Sequence, residues 1–344
     1  MKQILNTLYV QTQGSYLRLD HETLKVEVEK EMKFQIPLHH LGGIVTFGNV
    51  LMSPFLIHKC AVDGRNVVWL TAYGKFKGRL VGATTGNVLL RRSQHETVSD
   101  AEKALAIARC MVAGKLQNAR NVVMRSAREA KGEADQSMLK LAAQVQAEGI
   151  RSAETAADLD KLRGVEGYAA RAYFGSFTAM IRQNREAFEF VERSKHPPLD
   201  PINALLSFTY TLLTSDCVSA CESVGLDPQM GFLHAVRPGK PSLALDLMEE
   251  LRSLMADRLV LTLINRGQIT PDDFTERPGG AISLSEEGRK TLLAAYQKRK
   301  QEEMMHPIVG HRMPLGLVPH VQARLLARHL RGDVPSYQPF ILRA

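Results

Sequence analysis

The chain has 344 residues, 44% apolar and 23% charged, with a formal net charge of +8. That length allows two domains and a sizeable core, and the composition excludes disordered and fibrous classes. No basic start followed by an apolar run and a small-residue cleavage site is present. The most apolar stretches, 201–226 and 259–264, are interrupted by polar residues or too short for a bilayer, so a cytoplasmic protein without a membrane span is expected.

The first ~90 residues read as strands and turns. "LKVEVE" (24–29) alternates apolar and polar, the period of a half-buried strand, and "GIVTFG" (43–48) and "NVVWL" (66–70) are β-branched or aromatic runs bounded by turn residues. "TTGNVLL" (84–90) predicts a turn at Gly86-Asn87 and a further short strand. The glycine-rich segment 71–88 has no Walker pattern, which argues against nucleotide hydrolysis. From Lys59 to Lys131 there are 14 Lys and Arg against five Asp and Glu, a net +9 that leaves the rest of the chain near −1. A localised excess of this kind fits a polyanion such as DNA and equally fits a solvated basic surface.

"SDAE" (99–102) predicts a capping box with Ser99 as N-cap, opening a long helix with Ala104, Leu105, Ala108, Met111, Val112 and Leu116 on one face. Helices are expected at about 134–148, 165–191, 202–224, 242–266, 284–305 and 319–331, with almost no strand pattern after residue 95. The expected fold class is α+β: a small N-terminal β-sandwich domain (1–95) followed by a larger all-α catalytic domain (96–344). Cys60, Cys110, Cys217 and Cys221 form no CxxC pair and read as small buried hydrophobes of a reducing compartment.

Chemistry gathers in two stretches. In "GFLHAVRPGKPSLALDLMEELR" (231–252), His234 lies in a Gly/Pro-bounded loop before a helix for which Ser242 is the expected N-cap. Asp246 and Glu249, three apart, share a helix face. One imidazole and two acids suit Mn²⁺ or Mg²⁺, whereas acids near a helix N-terminus are often simple surface residues that complement the helix dipole. In "LRGVEGYAARAYFGSF" (162–177), Glu166 lies between Gly164 and Gly167 at an expected helix start, as a third ligand or an ordinary capping acid. Lys240 is a phosphate contact or a solvated loop lysine. The histidines at 39, 40, 58, 306, 311 and 320 form no spacing motif.

These stretches, together with "PLDPINALLSFTYTLL" and "ADRLVLTLINRGQI", resemble in order and spacing the CRISPR-associated integrases of spacer acquisition, the "Cas one" family. The resemblance covers nearly the whole chain, and the length, "SKHPPLDP" and "HPIVGHRMPLGLVPH" suggest the I-C subtype. It implies a β-sandwich followed by a helical catalytic domain, and a homodimer that flanks a small ferredoxin-like partner of the "Cas two" family. An iron–sulfur adaptation nuclease would be a further partner. It also implies that Glu166, His234 and Glu249 are catalytic and hold Mg²⁺ or Mn²⁺, with Glu249 where many members have Asp and with Asp246 auxiliary. The implied activity is metal-dependent cleavage and joining of double-stranded DNA, in which a DNA 3′-hydroxyl attacks a repeat-end phosphodiester. The alternatives are a non-catalytic DNA-binding scaffold, for which the basic stretch would suffice, and a small-molecule metallohydrolase, which explains neither the basic bias nor the motif order.

Overall fold

The computed structural model describes residues 6–83, 87–194 and 197–342. Eight strands occupy its first part: Thr7–Val10 (β1), Ser15–Asp20 (β2), Thr23–Val28 (β3), Glu31–Pro37 (β4), Gly43–Phe47 (β5), Val50–Met52 (β6), Asn66–Leu70 (β7) and Phe76–Arg79 (β8). They form two four-stranded sheets, ordered β4-β3-β2-β6 and β1-β5-β7-β8. The first is antiparallel apart from the β2–β6 pair; in the second, β1, β5 and β7 are parallel and β8 is antiparallel. The unit is therefore not purely β, because the parallel strands need crossovers. The β6–β7 crossover is helix Pro54–Val62 (α1), whose N-cap Ser53 hydroxyl accepts from the Leu56 amide.

The unbroken apolar runs of β5 and β7 have a direct cause. Alternate residues of each strand face opposite sides. Ile44 and Val67 pack in the core shared with the other sheet, while Val45, Phe47, Val68 and Leu70 pack in the core of the helical part. This sheet is buried on both faces, as parallel strands usually are. Phe47 stacks on Phe208 at a centroid distance of 5.8 Å, joining the sheet to the helices.

The strand expected in 84–90 is instead the start of a helix, Val88–Ser99 (α2). Gly86 lies outside the described residues, but Asn87 accepts from the amides of Leu89 and Leu90 and caps this helix, so the apolar triplet after it is helical despite its composition. Residue 95, the expected domain boundary, falls inside α2, which packs on the helical part. The next helix, Ala101–Glu129 (α3), is capped by Asp100 rather than Ser99: the Asp100 carboxylate accepts from the amides of Glu102 and Lys103, and the Ser99 hydroxyl donates back to His95 within α2.

The remaining helices are Glu133–Glu154 (α4), Leu159–Gly175 (α5), Pro201–Ser223 (α6), Ser242–Glu249 (α7), Arg258–Asn265 (α8), Glu286–Gln301 (α9) and Val318–Leu330 (α10). The helix expected over 165–191 ends at Gly175 and begins earlier, after the Asp158 cap. The helical part is not all-α. Phe274–Arg277 (β9) pairs antiparallel with Ala281–Leu284 (β10), and Glu303–Met305 (β11) with Arg312–Pro314 (β12). Among the described residues no helix is long and apolar enough to cross a membrane. All four cysteines are free; Cys60, Cys217 and Cys221 are buried and burial pushes their thiols up.

Helix α7 sits at the centre, against α3, α6 and α10. The helix expected over 242–266 is not continuous: after α7 the chain widens into a π-helical turn, Arg252–Asp257, before α8. Such turns occur mostly at functional sites.

Candidate metal centre

The site is built where α3, α5 and α7 meet the loop before α7. Gly231 is required there. A Cβ at this position would lie 2.6 Å from the Ser242 carbonyl carbon and 2.7 Å from an Asp246 oxygen. Only glycine lets the loop lie this close to α7. Asp246, fully buried, then fixes the loop. Its Oδ2 accepts from the amides of Phe232 (2.6 Å) and Leu233 (3.0 Å), and its Oδ1 from the His234 amide (2.9 Å). The same Oδ1 lies 2.7 Å from His234 Nδ1. A carboxylate only accepts, so Nδ1 carries a proton here, the tautomer that in a neutral imidazole leaves the lone pair on Nε2. Nε2 faces Glu249, 3.9 Å from its Oε1.

Asp246 is therefore the residue that orients His234, a role the resemblance left unspecified. Ser242 is not the N-cap: Pro241 holds that place, and the Ser242 hydroxyl donates to the Ala235 carbonyl. Glu166 is not at a helix start but in the middle of α5. Gly164 and Gly167 flank it on an exposed face, with nothing within 4 Å of where their Cβ atoms would be. They leave bare helix surface beside the carboxylate instead of permitting unusual dihedrals. Tyr168 is exposed on the same side.

Glu166 and Glu249 meet through a cation. The Lys115 ammonium, from α3, bonds to Glu166 Oε1 and lies 2.6 Å from Glu249 Oε2. Arg252, at the start of the π-helical turn, donates from Nη1 to both Glu249 oxygens at 2.8 and 3.0 Å. Its guanidinium lies over the Tyr210 ring, 4.3 Å from the centroid. Tyr210 and Tyr173 both donate to the buried Asp257, at 2.6 and 2.9 Å. Burial alone would push the Glu249 carboxyl up, but the Arg252 and Lys115 cations outweigh it and hold the group well below the ordinary carboxylate range.

The acids of 246–257 are not surface residues: Asp246, Glu249, Glu250 and Asp257 are all buried. Lys240 makes no ion pair with them. Residue spacing does not show the Arg252–Tyr210–Asp257 group, because the π-helical turn changes which residues share a face. Lys115 reads in the sequence only as one basic residue on the face of α3 opposite the apolar stripe, with nothing to mark it as a bridge. Part of the basic stretch 59–131 is paired within the chain, as in Lys59–Asp63, Arg79–Glu222, Arg92–Glu96 and Arg125–Glu129.

The metal expectation meets a specific feature here. Among the described residues no group of three or more His, Cys, Asp or Glu side chains stands close enough together to hold a metal ion; Lys115 lies between Glu166 and Glu249, and His234 Nε2 is 3.9 Å from Glu249. The donor chemistry nevertheless fits a hard divalent cation. Two carboxylates already share a positive charge, and one imidazole nitrogen with its lone pair free faces one of them.

A family model described as CRISPR associated protein Cas1 matches residues 8–298. A CRISPR-associated endonuclease Cas1 from Moorella thermoacetica is 55% identical over 343 residues, spanning 100% of both chains. Among solved structures, a casposase bound to its integration product superposes with a TM-score of 0.82 at 21% identity, over 97% of this chain and 92% of that one. A chain of a Cas6-RT-Cas1–Cas2 complex gives 0.82 at 24% identity, over 97% of this chain and 36% of that one. The two structural matches show a common fold; the family model and the full-length relative go further, and the chain belongs to the Cas1 family of CRISPR-associated endonucleases.

Proposed function

We propose that this protein is a metal-dependent DNA integrase and endonuclease that inserts short foreign duplexes into a CRISPR array. The observation that carries the reading is the convergence of Glu166, His234 and Glu249 from three separate segments, with His234 turned by Asp246 so that Nε2 faces the acids. A resident Mg²⁺ or Mn²⁺ held by Glu166, His234 Nε2 and Glu249 would activate the attacking hydroxyl and neutralise charge on the transferred phosphoryl group.

The chain supplies position. Asp246 keeps the imidazole in one tautomer, and Arg252 with Tyr210 behind it keeps Glu249 in one rotamer. The bare α5 surface at Gly164 and Gly167 gives a DNA backbone room to reach Glu166. The 3′-oxygen of the incoming strand bonds to phosphorus as the repeat-strand 3′-oxygen leaves. With water in place of the DNA hydroxyl the same site cuts. The fold shared with a casposase bound to an integration product agrees with strand joining.

A homodimer through the first sheet is supported by its outer face, where Tyr16, Met32 and Leu51 lie in one cross-strand row and are exposed, with Phe34 exposed on β4. A Cas2-type partner agrees with the fold match to a chain of a Cas1–Cas2 complex. The I-C subtype, and with it an iron–sulfur nuclease partner, rests on chain length and the two motifs at 194–201 and 306–320.

The test is transfer of a fluorescent short duplex onto a supercoiled repeat plasmid, with the small partner present, in Mn²⁺, Mg²⁺ or chelator. Covalent label is expected with either metal and lost in chelator and in His234→Ala. Salt-sensitive binding without label transfer under any metal would make the chain a DNA-binding scaffold instead.

A further inference from the structure

We propose that the Lys115 ammonium is a built-in stand-in for the metal: it holds the carboxylates of Glu166 and Glu249 together in the metal-free protein, and the entering cation must displace it. The inference rests on the metal reading of this site.

The geometry distinguishes two cations at the acids. Arg252 is fixed. Its Nη1 spans both oxygens of Glu249, its guanidinium lies on the Tyr210 ring, and Asp257 is held by the same tyrosine. Lys115 has no such support. Its ammonium has Glu166 and Glu249 as its ion-pair partners, one oxygen of each, and it ends a flexible four-carbon stem that is 14% exposed. A divalent ion bound by oxygen needs those carboxylates at about 2.0–2.6 Å. The ammonium already stands within 2.6 Å of Glu249 Oε2 and on Glu166 Oε1, so both cations cannot fill that gap. A dication a few ångströms from an ammonium also repels it. The lysine is the group able to leave.

Two consequences follow. Without metal, two carboxylates facing each other in a mostly buried site would repel, and Lys115 prevents this while keeping the site assembled. With metal, the displaced ammonium stays tethered at the edge of the site, beside the exposed surface of α5, where it can meet a phosphate oxygen of the DNA. Lys115 is in this account a positioning residue that sets metal affinity.

The experiment is Mn²⁺ titration of the full chain at one fixed pH, reading free Mn²⁺ by electron paramagnetic resonance. The chains compared are the natural sequence, Lys115→Met, Lys115→Gln, Lys115→Arg and His234→Ala. Removing the charge is expected to tighten Mn²⁺ binding about tenfold or more in Lys115→Met and Lys115→Gln. Lys115→Arg should stay close to the natural chain and His234→Ala should bind far more weakly. Binding that depends on His234 but is unchanged or weakened by Lys115→Met would overturn the displacement while leaving the metal site standing. No His234-dependent binding in any chain would remove the metal site and the displacement together. A second reading uses the natural chain alone. Acylation of the Lys115 amine, followed by peptide mass spectrometry, should rise several-fold when Mn²⁺ is added. Labelling that metal leaves unaltered would contradict the exchange.

Discussion

Glu249 meets Lys115, Arg252 and His234 on the side of α7 that faces α3 and α5. Glu250, the next residue, points away and accepts from the Tyr337 hydroxyl (2.6 Å), the Phe340 amide (2.7 Å) and the Gln322 side-chain amide (3.0 Å). Both carboxylates are buried. The first is held well below the ordinary range by full charges; the second, given only neutral donors, is pushed up to about 8 by burial, which those donors only partly offset. Equal burial therefore does not make equal groups. Full positive charges keep a buried acid ionised and able to hold a cation, whereas dipoles make it a structural knot. The knot fastens the C-terminal segment behind the site. Asn118 of α3 donates to the carbonyls of Glu250 and Phe340 and accepts from the Leu342 amide, so the segment after α10 is fastened to α3 and to the end of α7.

The sharpest way to break the comparison is to remove the front acid. Glu249→Ala should lower DNA joining by about a thousandfold or more with the fold intact, measured as label transferred to plasmid and checked by circular dichroism. On the back side, Phe340→Ala removes a fully buried ring that packs 5.3 Å from His306, and should cost about 3–5 kcal/mol of unfolding free energy in urea. Asp246→Asn keeps the size but leaves one acceptor oxygen where the loop amides and His234 Nδ1 use two. A ten- to hundredfold loss of metal affinity or activity is expected, roughly the range for such supporting carboxylates, read by Mn²⁺ titration.

The smallest effect is a slope. Because the folded Glu250 carboxyl sits above its ordinary value, its contribution to stability is present at low pH and is lost as pH rises from the ordinary carboxylate range through about 8. Glu250→Gln should flatten that fall in a series of melting curves between pH 5 and pH 8, roughly the window the shift defines. Glu249 acts in the other direction, its contribution being lost only as pH falls below the ordinary carboxylate range.

Local pattern made much of the fold readable. The alternation of "LKVEVE" and the apolar runs of "GIVTF" and "NVVWL" marked β3, β5 and β7, and three- and four-residue spacing marked the long helices. The Val88–Leu90 run misled because its composition favours strand, and the Asn87 cap with tertiary packing decided otherwise. Glu166, His234 and Glu249 were singled out by motif order and resemblance; in the fold both acids touch Lys115 and His234 Nε2 lies 3.9 Å from Glu249. The groups that control them were not singled out. Lys115 reaches the acids across a helix crossing, Arg252 and Asp257 depend on a π-helical turn that breaks the 3.6-residue period, and Tyr337 and Phe340 come from a segment with no periodicity. Apart from the i,i+3 pair of Arg252 with Glu249, each is a long-range contact that sequence spacing does not encode.

The most direct test of the central claim, that the front face of α7 is a metal site for DNA strand transfer, is anomalous diffraction from crystals grown with Mn²⁺. The account predicts one strong peak bounded by Glu166, His234 Nε2 and Glu249, with the Lys115 ammonium turned away. A crystal with full Mn²⁺ present and no peak there, or a peak only elsewhere, would contradict it.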